Sequence, residues 1–353
     1  MVSELALKQF RSYQAAAFAF GDGVNIIAGP NASGKTNILE AVLVTAIGRS
    51  YRARDAELVQ NGADWARIDA LVGDKPRVIK LQTAVTGVMV KSFELDEQVF
   101  ARLHQNRMLP VVLFEPNHLL LLSGSPELRR SFLDDLLEQL QPDFGPIRRH
   151  YRRVLAQRNA LLKKRPPDIT HQLFVWNLRL SELGGRIAQR RLQLLEDLNN
   201  RIGDDYSSLA GQIHDIRLDY VSACAVEQYE SALLKRLEAQ IELDIARGFT
   251  GAGPHRDDLL ARIDGRSMAE VASRGEVRTL VLALKLLELD LLEGARSTRP
   301  LLLLDDVFSE LDARRRKALT THVRDYQTFI TTTDADIVAH QFGAQAKIID
   351  LSN

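Results

Sequence analysis

Apolar and polar residues alternate along the first third of the chain. The two-residue rhythm starts at Val2 to Ala6 and returns in Arg77-Val78-Ile79-Lys80-Leu81-Gln82 and in Val88 to Leu95. One buried and one wet face predicts half-exposed antiparallel strands. From about residue 126 to 245 the spacing turns helical, with expected breaks at Gln141-Pro142, Arg165-Pro166-Pro167 and Gly184-Gly185. Beyond 246, strand and buried-helix patterns return. The runs Leu301-Leu302-Leu303-Leu304 and Thr328 to Thr332 suit parallel strands covered on both faces, and Leu280 to Leu292 reads as a strongly apolar helix. Three segments are therefore expected: residues 1–125, an inserted mainly helical lobe at 126–245, and residues 246–353.

The junction of the predicted strand Val24 to Ala28 and the predicted helix from Asn37 carries the clearest chemistry. Gly29, Pro30, Asn31, Ala32, Ser33, Gly34, Lys35 and Thr36 fit the phosphate-binding loop G-x-x-x-x-G-K-[ST] at every required position. The glycines allow a tight turn whose backbone N–H groups converge on an anion. Lys35 is expected to reach the β/γ-phosphates of ATP and Thr36 to ligate Mg²⁺. The helix start adds a partial positive charge.

Near the other end, Leu301 to Leu304 runs into Asp305 and Asp306. Carboxylates at the C-terminal tip of a parallel strand sit where ligands bind in open α/β sheets. Asp305 is expected to hold the Mg²⁺ side and Asp306 to polarise the attacking water. Since both chain ends contribute, they must form one α/β head. Upstream, Ser273-Arg274-Gly275 opens the apolar helix and resembles the signature motif of ABC-type ATPases. The resemblance implies an ABC-type head in which Ser273 and Gly275 complete the nucleotide site of a second copy. It also makes Ser309 and Asp312 the D-loop, and Thr333 the switch position where transporters carry histidine.

Composition narrows the partners. The 353 residues carry 46 basic and 46 acidic side chains, a formal net charge of zero. Binding to nucleic acid must then come from local patches, gathered by assembly. The densest patch is Arg148, Arg149, Arg152 and Arg153, one helical face that either contacts phosphates or is simply solvated. Arg49, Arg52 and Arg54 form a second. Arg129 and Arg130 could instead pair with Asp134 and Asp135 one turn along. The lone Cys224 makes no intrachain disulfide and reads as a core residue. No leader-like start is seen, and apolar runs of about five to ten residues are too short for a bilayer. A cytoplasmic protein without a membrane partner is expected.

Family-level blocks go further. Leu7-Lys8-Gln9-Phe10-Arg11-Ser12-Tyr13, Gly124-Ser125-Pro126-Glu127-Leu128-Arg129-Arg130, Gly253-Pro254-His255-Arg256-Asp257-Asp258 and Asp305 to Asp312 occur in the order of the RecF family, which the chain resembles over nearly its whole length. The resemblance implies an ATP- and Mg²⁺-dependent, slowly hydrolysing DNA-binding ATPase of recombinational and replication-gap repair. Its partners would be gapped or single/double-strand junction DNA, an ATP-induced homodimer, and the mediator proteins of the RecF pathway. One departure stands out: RecF proteins carry two glutamines where this chain has Glu276-Val277, and a carboxylate there would repel a γ-phosphate unless its side chain turned away. A transporter's nucleotide-binding subunit is the alternative, opposed by Thr333 and by the family blocks. A DNA-processing ATPase of the overcoming-lysogenization type would need a nuclease domain, and none fits after residue 334.

Overall fold

The computed structural model describes residues 1–296, 298–342 and 346–351, with the backbone alone at 336 and 337. It divides into two compact units, Met1–Leu119 with Lys285–Asn353, and Leu120–Leu284.

The first unit contains two sheets. Strands β1 (Val2–Phe10), β2 (Tyr13–Ala19), β4 (Trp65–Val72), β5 (Lys75–Thr83), β6 (Met89–Leu95) and β7 (Gln98–Phe100) form an antiparallel sheet in the order β2-β1-β4-β5-β6-β7. The alternating stretches lie here, with Leu5, Leu7, Ile68, Ile79 and Leu81 turned inward. The second sheet is parallel, in the order β14-β3-β13-β12-β8, from β3 (Val24–Ala28), β8 (Val111–Phe114), β12 (Leu301–Asp305), β13 (Thr328–Thr332) and β14 (Lys347–Asp350). Residues of β3, β12 and β13 are buried throughout, as continuous apolar runs require. Helix α1 (Lys35–Ile47) touches strands of both sheets, and buried side chains surround its axis from Ile38 to Ala46. Gln327 joins the two ends of the chain. Its amide accepts from Val2 N at 2.7 Å and donates to Val2 O at 2.7 Å and Gly21 O at 2.9 Å. The unit is completed by the short helices α2 (Asp55–Leu58), α10 (Ala313–His322) and α11 (Ala335–Phe342).

The second unit is built on α3 (Pro126–Leu140), α4 (Phe144–Lys164) and the 42-residue α5 (Ile169–Ala210), with α6 (Tyr229–Ala239), α7 (Ile241–Arg247) and α8 (Met268–Val271). A small antiparallel sheet joins β9 (Ile216–Val221), β10 (Asp258–Ile263) and β11 (Arg266–Ser267). Because β10 pairs with β9 from Asp258↔Val221 to Ile263↔Ile216, this unit continues past the expected boundary at 245 as far as Leu284. Helix α9 (Arg274–Ala295) runs through the division between Leu284 and Lys285.

The proline breaks end α3 and α4 as expected, but Gly184-Gly185 does not interrupt α5. Those glycines serve packing. A Cβ on Gly184 would meet Leu233 Cδ2 at 2.8 Å, and one on Gly185 would meet Glu230 Cβ at 2.9 Å, so α6 lies against bare α5 backbone. Cys224 is buried, as read from the sequence.

Candidate functional site

The P-loop runs from the tip of β3 into the first turn of α1. Lys35 Nζ folds across it and donates to the Gly29 and Pro30 carbonyls, each at 2.8 Å. The buried Ser33 hydroxyl has no hydrogen-bond partner. An unmet buried donor costs roughly 1–3 kcal/mol. A phosphate oxygen in this loop would satisfy it, so the residues fit the group that the motif implies.

Register in the parallel sheet brings the acidic strand to the loop. Asp305 lies opposite Thr331, and Thr331 opposite Ile27 on the P-loop strand. The Asp305 carboxylate accepts three hydroxyls, from Thr36 at 3.0 Å, Thr331 at 2.7 Å and Tyr51 at 2.9 Å. Thr36 and Asp305, far apart in sequence, are thus in direct contact. Among the described residues no group of three or more His, Cys, Asp or Glu could hold a metal. A bound Mg²⁺ would rely on Thr36, Asp305 and oxygens brought by its ligand.

Asp306 is exposed and sits at φ 52°, a left-handed conformation that costs a non-glycine residue about 1–3 kcal/mol. Its backbone N–H donates to Thr331 Oγ1 at 2.9 Å, and Ser309 Oγ donates to its carbonyl at 2.7 Å. Burial, with the Asp305 charge adding to it, raises the Asp306 carboxyl above the ordinary Asp value. Asp312 caps α10, accepting from Arg315 N at 2.9 Å. Thr333 lies exposed beyond the end of β13, and the hydroxyl that reaches Asp305 belongs to Thr331.

Sequence reading missed Thr331, Tyr51 and Glu115. Burial first, and Asp305 next, push both the Tyr51 phenol and the Glu115 carboxyl up. A threonine inside an apolar strand carries no motif, and Tyr51 reaches Asp305 across 254 positions. Position alone could have flagged Glu115, which directly follows a parallel strand as Asp305 ends one.

Ser273 and Gly275 lie in the second unit, where α9 begins. Glu276 Oε2 accepts from Ser273 N at 2.7 Å, while Glu276 N donates to Ser273 Oγ at 3.3 Å. This reciprocal pair is a capping box. The acidic substitution is therefore turned back onto its own helix start, and these hydrogen bonds hold Glu276 below the ordinary Glu range.

The basic candidates divide. Arg149, Arg152, Arg153 and Arg54 are exposed, and Arg49 is half-buried. Arg148 is only 8% exposed and cannot belong to a solvated basic face. It points inward to Asp134 at 3.1 Å, Asp135 at 2.9 Å and Glu138 at 3.4 Å, because its side of α4 packs on α3. Arg52 donates to Asn37 at 2.7 Å and to Glu40 at 3.1 Å. Arg11 Nε and Nη2 grip the same buried Glu40 at 2.8 and 2.9 Å.

Arg129 and Arg130 do not pair along their own helix as the sequence suggested. Arg129 holds both oxygens of Asp258 at 2.7 Å, and Arg130 donates to Asp257 O at 2.9 Å. The Asp257 carboxylate in turn accepts from Tyr220 at 2.7 Å, Ser222 at 2.8 Å and Tyr229. The Ser-Pro-x-x-Arg-Arg and Gly-Pro-His-Arg-Asp-Asp blocks thus lock together. His255 is engaged at both nitrogens, with Tyr151 OH at 2.6 Å and Thr250 O at 3.2 Å, and burial pushes it down to about 4. Hydrogen bonds at both ring nitrogens give His255 a positioning role in this turn.

No helix among the described residues is long and apolar enough to cross a membrane. The family model for the RecF/RecN/SMC N terminal domain matches residues 1–349. The DNA replication and repair protein RecF of Bacillus cereus (strain B4264) is 33% identical over 100% of this chain and 97% of its own length. That of Bacillus thuringiensis (strain Al Hakam) matches to the same extent. Among solved structures, the recombination mediator protein RecF with ATP, of the RecFOR pathway, aligns with a TM-score of 0.83 at 28% identity over 94% of this chain and 92% of that one. The same protein with ATPrS gives 0.86 at 27% identity, over 99% and 95%. An Smc head bound to the C-winged helix domain of ScpA, at 16% identity and a TM-score of 0.53 over 99% and 93%, shares the fold alone. With full-length identity at this level and two of the family's sequence blocks interlocked in the second unit, the chain belongs to the RecF family of DNA replication and repair proteins.

Proposed function

We propose that this chain is an ATP-gated DNA-binding ATPase of recombinational gap repair, which pairs with a second copy when it binds ATP. The contact between Thr36 and Asp305, beside the unmet Ser33 hydroxyl, carries this reading. Lys35 and the loop's N–H groups would hold the β/γ-phosphates, and Thr36 with Asp305 would hold Mg²⁺. When bound, ATP supplies a phosphoanhydride bond whose hydrolysis can reset the assembly. Asp306 would orient and polarise the attacking water, its raised carboxyl bringing it closer to base function. Ser273 and Gly275 of one copy would meet the γ-phosphate held by the other, with Ser309, Asp312 and Thr333 flanking it. The Ser273 hydroxyl would exchange its capping hydrogen bond for the phosphate.

DNA at gapped or single/double-strand junctions is the proposed substrate, with other mediator proteins of the RecF pathway as partners. A chain of zero net charge would bring Arg149, Arg152, Arg153, Arg49, Arg52 and Arg54 to DNA in two copies at once. The test uses calorimetry with ATP and Mg²⁺, followed by binding to gapped duplex. Lys35→Met should lose ATP binding and ATP-dependent DNA binding together. Asp306→Asn should keep both and lose hydrolysis. Normal ATP affinity in Lys35→Met would overturn the site.

A further inference from the structure

Within the second unit, α3, α4, α5 and the turn after Gly253 surround a cavity of about 230 Å³. Helical spacing aims one face of each helix into it: Glu127, Arg130 and Asp134 from α3, Arg148 and Arg152 from α4, and Arg191 from α5. Four arginines therefore face two carboxylates. Both oxygens of Asp134 are already engaged, Oδ1 by Arg191 at 2.8 Å and Oδ2 by Arg148 at 3.1 Å. Arg191 also donates to Pro254 O at 2.7 Å. Arg191 is thus held by the wall itself, and Arg148 is ion-paired there although its buried Nε lacks a hydrogen-bond partner.

The other two are less engaged. Arg130 uses a single Nη, on the Asp257 carbonyl, and Arg152 makes no hydrogen bond or ion pair among the described residues. Burial and then the Arg191 charge hold the Arg130 guanidinium below its ordinary range, and burial and then Arg148 do the same to Arg152. Each cation sits where further positive charge is resisted, a field that an anion relieves. Glu127 is exposed, and its charge, with that of Asp258, offsets only part of the effect on Arg130.

We propose that this cavity binds a phosphate group between Arg130 and Arg152. Planar guanidinium forks match the spacing of two phosphate oxygens. The volume falls below the ~300–1,000 Å³ of pockets that take drug-sized ligands, which favours a lone phosphate over a whole nucleotide. The neighbouring Tyr151 and His255 are bonded to each other and leave the arginines as the free donors. The group could be the terminal phosphate of a DNA strand or free phosphate; the chemistry is shared. The site lies in the second unit and does not involve the P-loop.

The test removes the P-loop's own phosphate affinity with Lys35→Met and titrates inorganic phosphate into that full-length chain by calorimetry at constant ionic strength. One phosphate per chain should bind, with a Kd in or below the millimolar range. Arg152→Gln, on an exposed position, should leave thermal melting unchanged and weaken phosphate at least about tenfold. The further change Arg130→Gln should remove binding. A second arm compares a short duplex bearing a 5′-phosphate with its dephosphorylated twin. A strand end is the source if Arg152→Gln lowers affinity more for the phosphorylated duplex than for its twin, and free phosphate is the source if it lowers both by the same factor. No binding at millimolar phosphate, or binding indifferent to Arg152→Gln, overturns the proposal.

Discussion

Thr331 links two aspartates with one hydroxyl, donating to the Asp305 carboxylate while accepting from the Asp306 backbone N–H. Thr331→Val keeps the shape and removes both bonds. It should cost about 1–3 kcal/mol in urea unfolding, since the Asp306 N–H is left unmet and Asp305 loses one of its three hydroxyls. Hydrolysis, followed by phosphate release, should fall as well, because the strained Asp306 loses its anchor. Glu40 gives the residue scale its pH dependence. Burial alone would raise it, but hydrogen bonds from Arg11 and Arg52 hold it below the ordinary carboxylate value. A depressed carboxyl contributes stability above its unfolded pKa and loses it as pH falls through the folded one. Glu40→Gln should therefore flatten the acid side of the stability profile, read as melting temperature against pH. The eight P-loop positions and Asp305 were legible because a motif fixes residue types at fixed spacing. Tyr51 and Thr331 were not, since their roles arise only when strands from opposite ends of the chain line up.

Helix starts and tight turns carry the next level. Glu276→Ala should expose the first turn of α9 and cost about 0.5–2 kcal/mol, seen as faster amide exchange there. Glu276→Gln should not, because glutamine serves a capping box equally well. The signature's departure from the family pattern thus preserves the helix start, which spacing alone could not reveal. Gly253, at φ 128°, faces a second limit: a Cβ there would lie 2.6 Å from the Tyr151 hydroxyl. Gly253→Ala should destabilise the second unit by more than about 1 kcal/mol in denaturant unfolding, from backbone strain and from the broken Tyr151–His255 bond. Gly184-Gly185 misled the sequence reading for a related reason. Glycine pairs suggest breaks, yet here they admit a neighbouring helix.

For the molecule as a whole, assembly is the quantity to measure. Ser273→Arg should leave the ATP affinity of one chain near normal and abolish ATP-induced pairing in sedimentation, because the residue serves the opposite copy. The α/β architecture with segments from both chain ends was readable from the two nucleotide motifs. The extent of the second unit was not, because β9 and β10 are short strands set in largely helical surroundings. The parallel sheet also imposes an order on synthesis. The strand bearing the P-loop leaves the ribosome early, yet its two lateral partners begin only at Thr328 and Lys347. Residues 120–284 are contiguous and can fold while translation continues. Ribosome-stalled chains ending before Thr328 should thus carry a protease-resistant middle segment behind an unprotected β3 and P-loop. Until the last strands arrive, the nascent chain would hold its nucleotide loop on a strand without its lateral partners.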